Sequence, residues 1–412
     1  MTDKASTREN LEALDREDCL AAFRYRFDLP NDTIYLDGNS LGAMPRSTPA
    51  RIDWVVRQEW RNDLNASWWK HNWLDLPRRI GDKIARILGA DEGEVIVSDS
   101  TSLNLFKLLV GALQLMAGRG TILLDSSNFP GDLYVAQSAA RVQNRKLRIV
   151  APARLVDELD EDVAVVMFSQ VDFRTGRLVE LRPVAEQAHA VGALVLCDLS
   201  HSAGVMPLAL GHDGIDLAVG CGYKFLNGGP GAPAFMYVAN RLLHSIENPI
   251  WGWLGHAETF AFEAEYRPDS SIARFLVGCP PILSLIALEE GIDLLLEADL
   301  HAVRRKSVAL TSRFIDLLRQ EWGDDGPEIL SPLDGRRRGS QVAIRHPLAS
   351  RIVRALSENG VIAEFRAPDI IRFGFAPLYV CYADIWDSSQ ILKRVTHQVD
   401  ADRRVAPATA KV

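Results

Sequence analysis

Uninterrupted runs of apolar residues on either side of a helix-like segment restrict the fold of this chain more than any other feature. The runs "DVAVVMFSQV" (162–171) and "ALVLCDLSH" (193–201) flank "RPVAEQAHAVG" (182–192). Apolar runs without regular polar alternation are typical of parallel strands that are buried on both faces and joined by right-handed crossovers. The pattern therefore predicts a doubly wound α/β core.

The same alternation of strand-like and helix-like segments extends over residues 94–240. Further strands are predicted in "EVIVSDST" (94–101), "GTILLD" (120–125), "DLAVGCGYKFL" (216–226) and "APAFMYVAN" (232–240). One or two helices follow up to Glu321, and a shorter strand and helix alternation begins after Ser331. We predict a large α/β domain with a mostly parallel sheet flanked by helices, and a smaller α/β domain.

These segments divide the chain into four predicted parts. They are an N-terminal segment that packs with the small domain (1–50), the large domain (51–285), linker helices (286–325) and the small domain (326–412).

Composition excludes several classes of function. The 412 residues carry a net charge of −8, so no basic face is expected for nucleic acid or for an anionic membrane. No apolar run approaches the ~18 residues that span a bilayer, and the polar N-terminus lacks a signal sequence, so we expect a cytoplasmic protein. Five widely spaced cysteines without CxxC, and the absence of HExxH, predict neither a disulfide framework nor a metal site.

Polar residues follow the predicted strands at three places: 99–102, 127–132 and 198–201. Ligands of open parallel sheets bind at the carboxyl ends of the strands. The segment "SDSTSLN" (98–104) opens a helix with hydroxyl groups and free backbone N–H groups, which suit a phosphate. The same residues also suit simple capping of the helix.

Three residues extend this pattern towards a cofactor. Asp198 ends a buried strand and needs a partner, His201 follows on the same loop, and Lys224 precedes a glycine-rich turn. Each alone has a structural alternative: a turn-capping aspartate, a turn histidine or a solvent-exposed lysine. Together with the phosphate-binding segment they predict a pyridoxal phosphate site, with the aspartate on the pyridinium nitrogen and the lysine on the aldehyde.

Longer motifs resemble the kynureninase family, whose members are pyridoxal phosphate enzymes of the aminotransferase fold. The motifs are "YLDGNSLGAMP" (35–45), "NFPGD" (128–132), "DLSHSAG" (198–204), "GCGYKFLNGGPGAPAF" (220–235), "GWLGH" (252–256) and "FRAPDIIRFGFAPLY" (365–379). The aspartate, histidine and lysine arrangement also occurs in cysteine desulfurases and related lyases. The segments "NSLG", "FPGD" and "GWLGH" distinguish kynureninase from them.

The resemblance implies a role for each site residue. Lys224 binds the cofactor aldehyde, Asp198 pairs with the ring nitrogen and Phe129 stacks on the ring. Thr101 and Tyr223 bind the phosphate, and the rest of the cofactor shell consists of Ser100, Asp132, Ser169 and His201. Trp253 and Cys279 reach the cofactor of a neighbouring subunit, which implies a homodimer. The thiol of Cys279 is a weak donor where family members carry a hydroxyl or an amide.

The resemblance also implies a substrate and a reaction. Arg372 matches the arginine that binds the α-carboxylate, although a salt bridge on a strand is its structural alternative, and Ser40 and Trp68 are further substrate contacts. The reaction is hydrolysis of L-kynurenine to anthranilate and L-alanine, in tryptophan catabolism. Lys224 is the expected base at Cα, and Tyr223 and Asp132 are candidates for later proton transfers. We expect kynurenine rather than its 3-hydroxy form, because Trp68 and Cys279 offer that hydroxyl no partner.

Parts of the sequence also fit three other interpretations. A cysteine desulfurase or selenocysteine lyase needs a nucleophilic cysteine on a C-terminal loop, whereas Cys381 follows an apolar run and is predicted to be buried. The "SWWK" segment (67–70) matches the SxxK pattern of serine acyl enzymes but lacks the partner motifs. A non-catalytic binding protein on the same fold is expected to have lost the lysine, and Lys224 is present.

Overall fold

The structure is a computed structural model that describes residues 7–323 and 326–405. Its α-helices are α1 (Arg8–Glu17), α2 (Thr48–Trp54), α3 (Arg61–Asp63), α4 (Ser67–Lys70), α5 (Leu76–Leu88), α6 (Thr101–Leu115), α7 (Pro130–Val142), α8 (Leu181–Ala190), α9 (Asn240–Leu243), α10 (Ile282–Leu296), α11 (Leu300–Trp322), α12 (Ala349–Glu358) and α13 (Tyr382–Val405). Its strands are β1 (Phe27–Asp28), β2 (Ile34–Tyr35), β3 (Met44–Pro45), β4 (Val95–Val97), β5 (Thr121–Asp125), β6 (Lys146–Val150), β7 (Val163–Ser169), β8 (Leu194–Asp198), β9 (Leu217–Gly220), β10 (Phe235–Val238), β11 (Glu328–Ile329), β12 (Gln341–Arg345), β13 (Val361–Ile362), β14 (Glu364–Arg366) and β15 (Ile370–Gly374).

The chain forms two compact units. The large unit contains residues 44–173 and 179–300, and the small unit contains residues 7–43, 174–178, 301–323 and 326–405. The four-part division made from the sequence stays a prediction. No helix in the part of the chain that the structure describes is both long and apolar enough to cross a membrane.

A seven-stranded sheet in the order β4-β10-β9-β8-β7-β5-β6 forms the centre of the large unit. Neighbouring strands are parallel from β9 to β6, and β10 is antiparallel to both β9 and β4. Strands β8 and β9 are fully buried and β7 is buried as far as Phe168, and the three correspond to apolar runs of the sequence. The prediction of a mostly parallel sheet flanked by helices is confirmed.

Helix α6 shows how the sheet is covered. Its leucines at 105, 108, 109 and 113 are fully buried in one core with Ile96 and Ile122 from the strands. Burial of each such side chain contributes about 1.5–3 kcal/mol, and their spacing places them on a broad face of the helix. This packing fixes the beginning of α6 at the edge of the sheet.

Asp216 holds the strand β8 at its first residues. The buried carboxylate accepts a hydrogen bond from the Val195 N–H at 2.8 Å, lies 2.8 Å from His189 Nε2 and pairs with Arg241 Nη2 at 2.6 Å. One side chain thereby connects β8 with α8 and α9.

The small unit contains a four-stranded antiparallel sheet in the order β11-β12-β15-β14. A separate parallel pair joins β13 to β2, so residues near both ends of the sequence lie in this unit. The smaller α/β domain predicted from the sequence corresponds to this sheet and to helices such as α12, which packs against it.

Candidate active site

Strands β4, β5, β7, β8 and β9 run in the same direction, so their carboxyl ends lie at one edge of the large sheet. Five predicted site residues lie at or just beyond these ends: Ser100, Phe129, Ser169, Asp198 and Lys224. This is the edge at which open parallel sheets bind their ligands. The strand topology therefore brings together residues that lie up to 124 positions apart in the sequence.

Lys224 lies beside His201 at this edge, with 3.1 Å between Lys224 Nζ and His201 Nε2. The imidazole is buried, whereas the lysine side chain is half-buried. Two carboxyl groups, Asp198 and Asp132, complete what we call the lysine cluster: Lys224, His201, Asp198 and Asp132.

The two carboxyl groups of the lysine cluster are buried and close to one another. Burial first, and then the charge of Asp198, raises the pKa of Asp132 well above its ordinary value, while Lys224 opposes this shift. Asp198 is oriented by the Ser200 N–H, which donates to its Oδ1 at 2.7 Å. In the described part of the chain, Asp132 Oδ2 is buried without a hydrogen-bond partner. A cationic ring N–H would satisfy this excess of buried carboxyl oxygen, so these residues fit a pyridoxal phosphate ring.

The first turn of helix α6 supplies the N–H groups that suit a phosphate. Ser100 is the N-cap, and its hydroxyl accepts a hydrogen bond from the Leu103 N–H at 3.3 Å, so the capping role considered from the sequence is present. Thr101 begins the helix. Beneath this turn, the fully buried Lys107 forms an ion pair with Asp99 and donates to the Phe275 carbonyl at 2.7 Å. Lys107 is thus already paired, and it is the free N–H groups at the beginning of α6 that favour an anion.

Phe129 and Ser169 are held in place by Asn128. The Asn128 Oδ1 accepts a hydrogen bond from the Ser169 N–H at 2.6 Å, which joins the end of β7 to the loop that carries Phe129. The Phe129 ring is 44% exposed and meets Phe173 edge-on, with 5.3 Å between the ring centroids. An exposed, supported face is what stacking on a planar ring requires.

Tyr223 precedes Lys224, whose Nζ lies 5.9 Å from the centre of the tyrosine ring. Burial, together with the nearby Cys221, raises the pKa of the Tyr223 hydroxyl above its ordinary value. The hydroxyl therefore keeps its proton at neutral pH and can donate to an anion.

Two of the glycines after Lys224, Gly228 and Gly229, meet requirements of the local fold. A Cβ atom at Gly228 would lie within 2.8 Å of Ala232 Cβ and 2.7 Å of Leu288, so this position allows the loop to pack on helix α10. Gly229 has a φ of +81° and no neighbour near its Cβ position, which shows a conformational requirement rather than a close approach.

Trp253 belongs to a group of exposed aromatic side chains on the large unit, which we call the aromatic cluster: Trp69, Trp253, Phe260 and Phe262. The ring centroid of Phe260 lies 6.0 Å from those of Trp69 and Trp253 and 6.3 Å from that of Phe262. Trp68 is half-buried and meets Trp73 edge-on at 5.7 Å. Cys279 is exposed.

Arg372 lies in the small unit, on β15, and is only 1% exposed. It forms an ion pair with Glu364 on β14 and donates to the Ser40 hydroxyl at 2.6 Å. Glu364 also pairs with Arg366, with 2.6 Å between Glu364 Oε1 and Arg366 Nη2. Asp37 is the fourth charged member of what we call the arginine cluster: Arg372, Arg366, Glu364 and Asp37.

Three of the residues in these clusters were missed from the sequence. Asp37 lies within the quoted motif "YLDGNSLGAMP" and Arg366 within "FRAPDIIRFGFAPLY", and Glu364 directly precedes the latter, so the motifs themselves carried the available signal. The pairing of Glu364 with Arg372 depends on the register of two short strands, which the sequence does not display.

Solved structures resemble the whole chain in fold. An apo cysteine desulfurase from Thermococcus onnurineus has a TM-score of 0.77 at 17% sequence identity, over 92% of this chain and 98% of that chain. A C-DES mutant with glycine covalently linked to its pyridoxal phosphate cofactor has a TM-score of 0.76 at 18% identity, over 90% and 98% of the two chains. The molecule is thus built like the cysteine desulfurases, and at these identities the likeness concerns the fold alone.

Sequence relatives are more specific. A family model described as the kynureninase C-terminal domain matches residues 303–392. The kynureninase of Deinococcus radiodurans is 47% identical over 381 residues, which are 91% of this chain and 93% of the relative. The kynureninase of Pseudomonas fluorescens is 43% identical over 397 residues, 95% of each chain. This chain belongs to the kynureninase family, and the resemblance seen in its motifs is confirmed.

Proposed function

We propose that this chain is a pyridoxal phosphate-dependent enzyme that hydrolyses L-kynurenine to anthranilate and L-alanine in the breakdown of tryptophan. The lysine cluster carries this proposal, because it combines a lysine with two buried carboxyl groups at the ligand-binding edge of the sheet. Water is added across the bond between Cβ and Cγ, so one water is consumed for each pair of products.

When bound, pyridoxal phosphate supplies an electron sink that stabilises negative charge at Cα of an amino acid. Asp198 would hold the ring N–H, Phe129 would cover one face of the ring, and the first turn of α6 with Tyr223 would hold the phosphate. Ser169 and His201 would complete the cofactor shell. Asp198, Ser169 and Phe129 are each held by contacts within the protein itself.

The substrate would use two further sets of residues. Arg372, with Ser40 beside it, would bind the α-carboxylate, and Trp68 would line the space for the aryl ring. Lys224 would take the proton from Cα. Burial raises the pKa of Asp132 and that of Tyr223, which favours the protonated form of each, so both are candidate proton donors when the products separate.

We also propose a cytoplasmic homodimer in which the aromatic cluster lies in the subunit interface. Clustered exposed aromatic side chains are characteristic of interfaces, and Phe262 is 79% exposed. Trp253, a member of this cluster, and Cys279 would then reach the partner's cofactor. Mass determination in solution tests the dimer: Phe262→Ser should shift the wild-type dimer towards monomer, and a monomeric wild type would overturn the proposal.

Release of fluorescent anthranilate from L-kynurenine tests the activity, with 3-hydroxy-L-kynurenine assayed beside it. Wild type with added pyridoxal phosphate should favour L-kynurenine and show the absorbance of the bound cofactor. Lys224→Ala should lose both signals, whereas Lys146→Ala, an exposed lysine at the start of β6, should keep them. Absence of anthranilate with cofactor-loaded wild type would refute the proposed function.

A cysteine desulfurase is disfavoured by the thiol that this chemistry would need. Burial raises the pKa of Cys381 to about 12, so its reactive thiolate is scarce at neutral pH.

A further inference from the structure

The guanidinium of Arg372 already has a carboxylate partner within the small unit. Arg372 and Glu364 are directly opposite one another in the antiparallel pair of β15 and β14. Glu364 Oε2 forms the ion pair with Arg372 and also accepts a hydrogen bond from the Ser40 hydroxyl at 2.6 Å. An incoming carboxylate must therefore compete with Glu364 for this arginine.

Glu364 has a second cation available when it gives up the first. Its other oxygen, Oε1, pairs with Arg366, and both of these side chains are partly exposed, whereas Arg372 is not. A carboxylate that leaves Arg372 while it keeps Arg366 is not left buried without a counter-charge. Partner exchange thus avoids most of the cost of breaking a buried ion pair.

The charge of the arginine cluster also leaves room for one more anion. It contains two guanidinium groups and two carboxyl groups. Burial, and then the charge of Glu364, raises the pKa of Asp37 to about 7, so Asp37 is largely protonated below neutral pH. The cluster then carries a net positive charge, and a substrate carboxylate would balance it.

We infer that Glu364 is a resident carboxylate that holds Arg372 and yields it to the α-carboxylate of the substrate; this inference rests on the substrate-binding role proposed for Arg372. Glu364 is a positioning residue in this scheme, and a ligand binds only if it competes successfully with Glu364 for Arg372. Ligands with a full carboxylate charge displace it, whereas neutral analogues, such as an amino-acid amide, do not.

Glu364→Gln tests the inference, because a resident competing carboxylate predicts tighter ligand binding in this variant, whereas a purely structural role does not. The amide keeps the shape and an acceptor oxygen but removes the competing charge. KM for L-kynurenine and the dissociation constant of L-alanine should both fall, by about 3-fold to 30-fold, while kcat changes by less than about 3-fold. If Glu364 only braces the arginine, both constants rise or stay unchanged, and the inference is wrong.

Two companion variants guard against misinterpretation. Arg366→Gln removes the second partner of Glu364, so binding of L-alanine should weaken by about 10-fold, which gives an effect of the opposite sign even if Glu364→Gln folds poorly. Glu328→Gln breaks an exposed pair with Arg345 in the same sheet and should leave every constant unchanged.

Arg372→Lys separates this inference from the proposed function. If that variant binds L-alanine and L-kynurenine like wild type, the proposed role of Arg372 fails, and the role of Glu364 fails with it. If Arg372→Lys weakens binding but Glu364→Gln does not strengthen it, only the inference about Glu364 is overturned.

Discussion

The lysine cluster of the large unit and the arginine cluster of the small unit both bury charged groups, but they differ in how those charges are balanced. In the lysine cluster, two carboxyl groups lie close together near Lys224, and Asp132 keeps a buried oxygen without a hydrogen-bond partner in the described structure. In the arginine cluster, Glu364 forms ion pairs with two guanidinium groups at once.

The difference separates two ways to prepare a binding site. The lysine cluster has an excess of carboxyl groups and gains stability when a cation joins it, whereas in the arginine cluster an incoming carboxylate must first compete with Glu364 for Arg372. Ligand binding should therefore stabilise the first region strongly and the second only weakly. Substitutions in the lysine cluster should likewise affect ligand binding more strongly than substitutions in the arginine cluster.

The largest effect is expected from Asp198→Ala. Loss of the partner for the cofactor ring nitrogen should weaken cofactor binding by about 3–5 kcal/mol. The cofactor-free protein should lose no stability, because the substitution removes one of two neighbouring buried carboxyl groups and with it their repulsion. Titration with pyridoxal phosphate and urea unfolding of the cofactor-free protein measure the two quantities.

Asp216→Ala is the matched control for that variant, since Asp216 is also buried but fully partnered. It should destabilise the cofactor-free protein and leave cofactor affinity nearly unchanged. If Asp198→Ala behaves like this control, the lysine cluster is a structural ion-pair network and the comparison fails.

Arg372→Lys should have the next largest effect. The charge remains beside Glu364, but the two-pronged geometry and the hydrogen bond to Ser40 are lost. We expect kcat/KM for L-kynurenine to fall by about 2–4 kcal/mol, or roughly 30-fold to 1,000-fold, with a loss of about 1 kcal/mol in unfolding free energy. Steady-state kinetics and a melting curve on one preparation measure both. Unchanged kinetics would make Arg372 purely structural.

A smaller effect is expected from Asp37, whose raised pKa makes the stability of the protein depend on pH. Its pKa is about 7 in the folded protein and near 4 when unfolded, so the folded state binds more protons between these values. Stability from this group is greatest in acid and falls as pH rises to about 7. The groups that face Asp37 are Glu364, Ser40, Arg372, Arg366, Tyr35 and Tyr379.

Asp37→Asn removes this dependence. Between pH 5 and pH 8, the unfolding free energy of the variant should gain about 2 kcal/mol relative to wild type, because only wild type gives up its proton. Urea unfolding at several pH values measures the difference. Parallel curves for the two proteins would show that Asp37 ionises normally and that the arginine cluster is fully neutral.

The smallest effect is expected from Ser100→Ala. Loss of the cap on α6 should cost about 1 kcal/mol of stability and weaken binding of pyridoxal phosphate several-fold, with no change in the binding of pyridoxal. Thr7→Ala removes a cap of the same geometry from α1, where Thr7 Oγ1 accepts from the Asn10 N–H at 3.3 Å. The Thr7→Ala variant should lose a similar amount of stability but bind pyridoxal phosphate as wild type does. Equal effects on both ligands would argue against a phosphate at α6.

The central sheet could be predicted because burial on both faces leaves a direct mark on the sequence. Strands β7 and β8 are continuous apolar runs, and Asp198 is recognisable as the polar residue that ends one of them. Strand β6 was not predicted. It lies at the edge of the sheet and contains Lys146 and Arg148, so its exposed side looks like a loop.

The residues of the lysine cluster were predicted from motifs, whereas the partners of Arg372 were not. A strand-end aspartate and a lysine beside a glycine turn each have local sequence signals. The contact between Glu364 and Arg372 arises from the register of β14 and β15, and the raised pKa of Asp37 arises from burial among distant residues. A contact or a pKa that depends on packing between distant residues cannot be predicted from any one segment of the sequence.

The carboxylate of Asp216 has a consequence for hydrogen exchange. The Val195 N–H, at the beginning of β8, is bound to this side chain. Its proton can exchange with deuterated water only when the carboxylate leaves the strand, so the exchange rate of this single amide measures how firmly the first residues of β8 are held. The same strand ends at Asp198, and the Val195 amide is therefore a reporter, remote from any ligand, of the rigidity with which the protein presents that aspartate.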